Sequence, residues 1–315
     1  MRTPAEKSRQ AIGEDELAAW LALHAVEGLG AASMTRLVAA FGSPQAVLSA
    51  AREELLAVPK LPVAAVEGIA REGARLGRHL GVARRLVAEG VAALRREDRD
   101  YPPRLLDLPS SPPLLFVKGR LPPPRRRALA IVGTTRASEQ GVLVATRVAS
   151  HFARSGWVVV SGNASGIDAA AHRGAFAAGG LTLMVLPTGI LAFRPQPGYP
   201  PGAHLWRRAA AVSEVYPLAP WATAAALARN RLIAALSDAV LVVETRERGG
   251  ALSTLRHALA IGRKGLVVRF RNPSLSAAGN SLAEAHGARP IRSLRELETL
   301  LSEKRPRDAQ PELPW

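Results

Sequence analysis

The chain has 315 residues, 48% of them hydrophobic, which is ample for a packed core. It has no cysteine, which excludes disulfides, thiolate metal sites and cysteine nucleophiles; without a signal-peptide core or an uncharged apolar run near the roughly 20 residues of a membrane span, it reads as a cytoplasmic protein with no membrane partner. The net charge is +16, and residues 129–290 hold 17 basic against 7 acidic side chains, an excess that points to a polyanionic partner or, in part, to an arginine-rich composition.

Residues 1–13 are polar and aperiodic and read as a disordered leader. From 14 to 95 the pattern is helical (ELAAWLALHAV, MTRLVAAF, SPQAVLSA, VAAVEGIAREGARL, VARRLVAEG), which suggests a small all-helical domain of SAM or helix-hairpin-helix type. Val26, Gly28 and Gly30 have the spacing of a hairpin that offers backbone N–H groups to a DNA phosphate; a plain helical hairpin is the alternative. Residues 96–127 form a proline-rich packed linker, because Pro102, Pro103, Pro109, Pro112 and Pro113 exclude a regular helix and LLFVKG reads as one short strand. The Arg125–Arg127 run reads as solvated surface.

From 128 to 304 strands and helices alternate in the doubly wound manner. The expected strands are ALAIVG, WVVVSG, LTLMVLP, VSEVY, AVLVVET, GLVVRF and RPIRS, with helices over 138–155, 166–179, 204–211, 222–236, 251–261, 280–287 and 293–304. Continuous apolar strands joined by crossover helices predict a Rossmann-like α/β fold with a mostly parallel sheet and right-handed connections. Ligands of such sheets bind past the carboxyl ends of the strands, where this chain places GTTRAS, SGNASGID, PTG, ETRERGG and RFRN. There is no G-x-G-x-x-G there, so a dinucleotide has no direct support. Residues 305–315 read as a tail.

The chemistry-bearing stretch is WVVVSGNASGIDAAAHRGAFAAGG, a strand, a glycine turn and a helix start. Ser161, Gly162, Asn163, Ala164, Ser165, Gly166 and Asp168 would present helix-start N–H groups to a phosphate; the plainer reading is that Ser161 and Asp168 cap the helix and the glycines only turn the chain. Arg229 and Arg231 flank Asn230 at the start of a later helix and carry the planar fork that suits a phosphate. They would line the same sheet edge, unless they hold the helix to the sheet through Asp238 or Glu244. Asp168, His172 and Glu244 tempt a catalytic reading, but a His inside an alanine-rich helix is more often packed or capping, and no enzymatic activity is expected.

Seven fragments occur in one order between Tyr101 and Ala288: YPPRLLDLPSSPPLLFVKG, IVGTTRAS, VVVSGNASGIDAAAHRGA, SEVYPLAP, RNRLIAALSDAVLVVE, GGALSTLRHALAIGRK and GNSLAEAHGA. In this the chain resembles the DprA/Smf family of DNA-processing proteins. The resemblance implies a protein that binds single-stranded DNA, protects incoming DNA and loads the RecA recombinase during natural transformation. It also implies a homodimer, with single-strand-binding protein as a further partner, and neither cofactor nor catalysis. Gly249 and Gly250 join the expected DNA contacts through the matched fragment that they open.

Departures from the family pattern are Thr135 in the place of an arginine, Pro201 after Tyr199-Pro200 with FRPQPG before it, Ala226-Leu227 before RNR, and Arg269-Phe270 after GLVV. Arg136, Arg194 and Arg269 are the expected substitutes, and Phe193 and Trp206 the candidates for base stacking. The residues after Ala288 are too few for a winged-helix module, so none is expected. Two other functions compete. A nucleotide phosphoribohydrolase would share Gly249-Gly250, but ERGGALSTLRHA lacks the proline and glutamate of that signature; a basic adaptor for an acidic protein tail would rest on charge alone.

Overall fold

The computed structural model describes residues 12–303, so the expected tail and all but the last two residues of the expected leader lie outside the described residues. Helices come first: α1 (Glu14–His24), α2 (Ala31–Phe41), α3 (Pro44–Ser49), α4 (Arg52–Leu56), α5 (Val63–Gly73) and α6 (Leu76–Ala88). They are followed by β1 (Val91–Arg95), β2 (Leu114–Gly119) and β3 (Ala128–Val132). An alternating run follows: α7 (Glu139–Arg154), β4 (Val158–Ser161), α8 (Ile167–Ala177), β5 (Leu181–Val185), α9 (Ala203–Trp206), β6 (Ala209–Ser213) and α10 (Thr223–Ala235). The last elements are β7 (Ala239–Val242), α11 (Gly250–Ala260), β8 (Lys264–Val268), α12 (Asn280–Ala285), β9 (Arg289–Ile291) and α13 (Leu294–Ser302). The fold is mixed α/β. It has two compact units, the first made of the residues up to Arg125 with Thr182–Leu232, the second of Arg126–Leu181 with the chain from Ile233.

In the first unit α1 is buried on every side from Leu17 to Leu23, which its apolar sequence requires, and it packs against α3, α5 and α6. The chain turns from α1 to α2 with Gly28 at φ +77°, a left-handed conformation that glycine takes without a Cβ clash. The strands lie in the order β1-β2-β6-β5, antiparallel for β1–β2 and β2–β6 and parallel for β5–β6. Tyr101 is buried and donates from Oη to the Pro112 carbonyl at 2.8 Å, which ties the proline-rich stretch to itself.

Three expectations need correction. VAALR, at the end of the helical stretch, is strand β1, because the open edge of β2 gives its backbone a ladder partner. The helix expected over 204–211 stops at Trp206, and the strand expected in VSEVY lies earlier, over AAAVS. Alanines favour helix in isolation, but here they sit between β2 and β5, where each backbone group finds a partner across the ladder.

The second unit has the strand order β4-β3-β7-β8-β9, every pair parallel. Its core joins Leu129, Ile131, Val159, Leu241 and Leu266 of the strands to Phe152, Ala170, Leu297 and Leu301 of the helices. α7 and α8 cross closely: a Cβ on Gly174 would stand 2.5 Å from the Thr146 carbonyl oxygen, and Ser150 Oγ donates to the Gly174 carbonyl at 2.8 Å. All three arginines of the run are exposed, as a surface run requires, and one of them also binds within the protein. Arg127 lies over the Trp157 ring at 4.0 Å and donates to the Leu301 carbonyl, so it fastens the last helix to the start of β3.

Candidate nucleic-acid interface

Because β4, β3, β7 and β8 are parallel neighbours, their carboxyl ends bring residues 162–166, 133–136, 244–250 and 269–271 to one edge of the second unit. The β4–α8 turn depends on backbone form. Asn163 has φ +58° and Gly166 φ +72°, and a Cβ on Gly166 would stand 2.4 Å from the Thr134 carbonyl oxygen. Only glycine fits there. Ser161 is buried and donates to the Ile131 carbonyl at 2.7 Å, while Ile167 N–H donates to the Thr134 carbonyl at 3.2 Å. Ser165 is exposed and donates from Oγ to the Thr135 carbonyl at 3.4 Å.

Asp168 is buried and accepts from Ala164 N–H at 3.3 Å, and Ala169 N–H donates to the Ala164 carbonyl at 3.1 Å. Asp168 therefore braces the turn, and two of the first three amides of α8 are bonded inside the protein. Fewer helix-start donors face a ligand than the strand-turn-helix pattern suggests. What the turn does offer is smallness: Gly162, Asn163, Ala164, Ser165 and Gly166 let an anionic backbone come close.

Glu244 sits fully buried just past β7. It accepts from Ser138 N–H at 2.9 Å, from Ser138 Oγ, and from Ser274 Oγ and Ser276 Oγ at 2.9 Å each. Burial pushes this carboxyl up, but the hydrogen bonds from Ser138, Ser276 and Ser274 outweigh it and leave it below its ordinary value. Gly141 has no room for a side chain, since a Cβ would stand 2.4 Å from the Glu244 carboxyl carbon. Glu244 thus ties the N-terminus of α7 to the segment before α12. His172 is fully buried in α8.

The arginines of this edge differ in their state. Arg136 is exposed and its side chain has no partner among the described residues; only its backbone N–H is bonded, to Thr134 Oγ1 at 3.2 Å. Arg269 is exposed but paired with Glu284, with Nε at 3.0 Å from Oε1. Gly249 caps α11 and Gly250 opens it, and a Cβ on Gly249 would meet Thr245 Oγ1 at 2.4 Å. Sequence reasoning passed over Arg246, Arg248 and Arg271. They are exposed and without side-chain partners among the described residues, and their signal was position, directly after β7 and β8 in ETRERGG and RFRN.

Arg194 and Arg229–Arg231 belong to the first unit. Arg194 is exposed and donates to the Phe193 carbonyl at 2.8 Å. Arg229 is buried and donates to the Val185 carbonyl at 2.7 Å, at the end of β5. Asn230 is buried, and Arg231 forms an ion pair with Glu214. Burial pushes the Glu214 carboxyl up and the Arg231 charge opposes the shift. Of the two acids considered from the sequence, Asp238 accepts from Ala128 N–H at 2.8 Å and Glu244 accepts from serines.

Comparison with known proteins gives the family and the fold. A family model for DNA recombination-mediator protein A matches residues 92–302. The DNA processing protein DprA of Bacillus subtilis is 30% identical over 224 residues, 71% of this chain and 75% of the relative. Protein Smf of Synechocystis is 35% identical over 175 residues, 53% of this chain and 43% of the relative, so the match spans less than half of that longer protein. The crystal structure of DprA from Streptococcus pneumoniae has the same fold, with a TM-score of 0.66 at 24% identity over 92% of this chain and 98% of that one. DNA processing protein A of Helicobacter pylori, whose structure concerns its single-stranded DNA binding mode, gives a TM-score of 0.57 at 25% identity over 67% of this chain and 95% of that one. The chain belongs to the family of DNA recombination-mediator protein A.

Proposed function

We infer that this protein binds single-stranded DNA at the carboxyl edge of the second unit's strands. The observation that carries this reading is the group of exposed arginines without partners, Arg136, Arg246 and Arg248, beside a turn of small residues over 162–166. Phosphates meet the guanidinium groups while the turn lets the strand approach closely. Among the described residues this edge presents turns rather than a helix or ribbon shaped for a major groove, which favours unpaired strands over duplex. Family membership and the single-stranded DNA bound by the Helicobacter relative support the same ligand.

The wider role follows the family. The protein protects incoming DNA and loads RecA during natural transformation, acts as a homodimer in the cytoplasm, and meets single-strand-binding protein on the same DNA. Within this reading Asp168 braces the turn, and Arg229 and Arg231 contact phosphate only if Arg231 exchanges Glu214 for DNA. The test is fluorescence anisotropy with labelled single- and double-stranded oligonucleotides at several salt concentrations. Tighter binding of the single strand, with affinity falling steeply as salt rises, is expected. Equal affinity for both forms at physiological salt overturns it. A monomeric mass by light scattering at micromolar concentrations removes the homodimer.

A further inference from the structure

Residues 193–208, which open with the FRPQPG departure from the family pattern, build a cluster with the end of β2 within the first unit. Phe193 and Trp206 are ring neighbours, with centroids 5.4 Å apart and planes tilted by 56°. Trp206 lies against the end of β2, where a Cβ on Gly119 would stand 3.0 Å from the indole ring and 2.4 Å from the Ala209 carbonyl oxygen. Lys118 Nζ stands 5.7 Å from the centre of the Trp206 ring and pairs with Glu89 at 3.2 Å.

The register sets Gly119 opposite Ala210, so Arg120, which leaves β2, comes beside Arg207 and Arg208, which enter β6. This is the amino end of β5 and β6, the opposite end from Val185 and Ser213. All three arginines are exposed and none has a side-chain partner among the described residues. The acid bound in the cluster, Glu89, is already shared between Lys118 and Arg85. Unpaired guanidinium groups brought to one strand end raise the positive potential there and favour an anion. The partly exposed indole beside them adds an apolar surface, which an acidic peptide does not need and a nucleobase does.

We propose that this cluster is a second contact for single-stranded nucleic acid, with a base against Trp206 and phosphates at Arg120, Arg207 and Arg208. It rests on the inferred binding of single-stranded DNA and adds a separate point of contact on the first unit. The test uses the full chain with fluorescent oligothymidylates of about 6 and about 30 nucleotides, lengths chosen below and above a typical single site. The variant R120A/R207A/R208A is compared with R154A/R292A/R295A, which removes equal charge from the exposed surface of the second unit.

The cluster variant should bind the longer strand about tenfold more weakly, with a salt slope smaller by about 2, while the charge-matched control shifts both much less. Trp206→Phe, which keeps a ring in place, should weaken the longer strand severalfold and remove part of the tryptophan quenching that DNA causes. If the wild type binds and the cluster variant behaves as the control does, this inference falls and the single-stranded DNA reading stands. If the wild type binds no oligonucleotide, both fall. If polyglutamate binding is lost in the cluster variant while Trp206→Phe leaves DNA binding unchanged, the cluster serves an acidic protein and the inference is overturned.

Discussion

The helix that carries Arg229-Asn230-Arg231 and the strand edge that carries Arg136, Arg246 and Arg248 use the same side chain in opposite ways. In α10 the guanidinium groups go into the protein, Arg229 to the Val185 carbonyl and Arg231 to the carboxylate of Glu214. A buried donor without an acceptor is costly, so these bonds hold the helix over the ends of β5 and β6. At the strand edge the arginines stay in water with no acceptor among the described residues, and a phosphate would gain their hydrogen bonds without breaking others. Motif spacing makes RNR look like the phosphate fork; burial makes the unpatterned arginines the open ones.

The largest effect that would sharpen this contrast is expected at the turn that shapes the strand edge. Gly166→Val places a branched side chain at positive φ and against the Thr134 carbonyl, and should destabilise the second unit by roughly 4 kcal/mol in a denaturant titration. A loss below about 1 kcal/mol would mean that the turn relaxes freely and the edge has no set form.

Next comes Glu244→Ala, which leaves the Ser138 amide and three serine hydroxyls without their acceptor and should cost about 3 kcal/mol. Its depressed carboxyl adds a pH signature. A carboxyl held below its unfolded value contributes stability that is complete above that value and is lost as pH falls through the folded one. Wild type should therefore lose stability from about pH 4 downward, and Glu244→Gln should flatten that part of the acid limb. Identical acid limbs would remove Glu244 as the source.

Arg229→Ala should cost about 2 kcal/mol, because it opens space and strands the Val185 carbonyl. Its salt slope for single-stranded DNA should match wild type. A reduced slope with unchanged melting would reverse the contrast and make Arg229 a phosphate contact. The smallest stability change, within about 0.5 kcal/mol, is expected for R136A/R246A/R248A, and yet this variant should lose about 0.7 of salt slope for each contact removed. An unchanged slope there would break the comparison from the other side.

The sequence alone was enough for much of the second unit. Continuous apolar runs such as ALAIV, VVVS, AVLV and GLVV bury both faces whatever their neighbours, so β3, β4, β7 and β8 fall where they were expected. The glycine turn was legible for the same local reason, since a Gly-bounded break between strand and helix forces the chain to reverse. The charge excess was visible in composition.

Tertiary structure decided what local pattern leaves open. AAAVS and VAALR are strands because β2 lies beside each of them, and alanine by itself gives no sign of that. The fates of Arg229 and Arg231 depend on Val185 and Glu214, residues 44 and 17 positions away in the chain. Whether Asp168 and Glu244 present their carboxylates to a ligand or bind them within the protein was settled by Ala164, Ser138, Ser274 and Ser276. Residue type and spacing determine what a side chain is able to bind, but an acceptor brought near by the fold competes for it first, and only the folded chain brings that acceptor within hydrogen-bond distance.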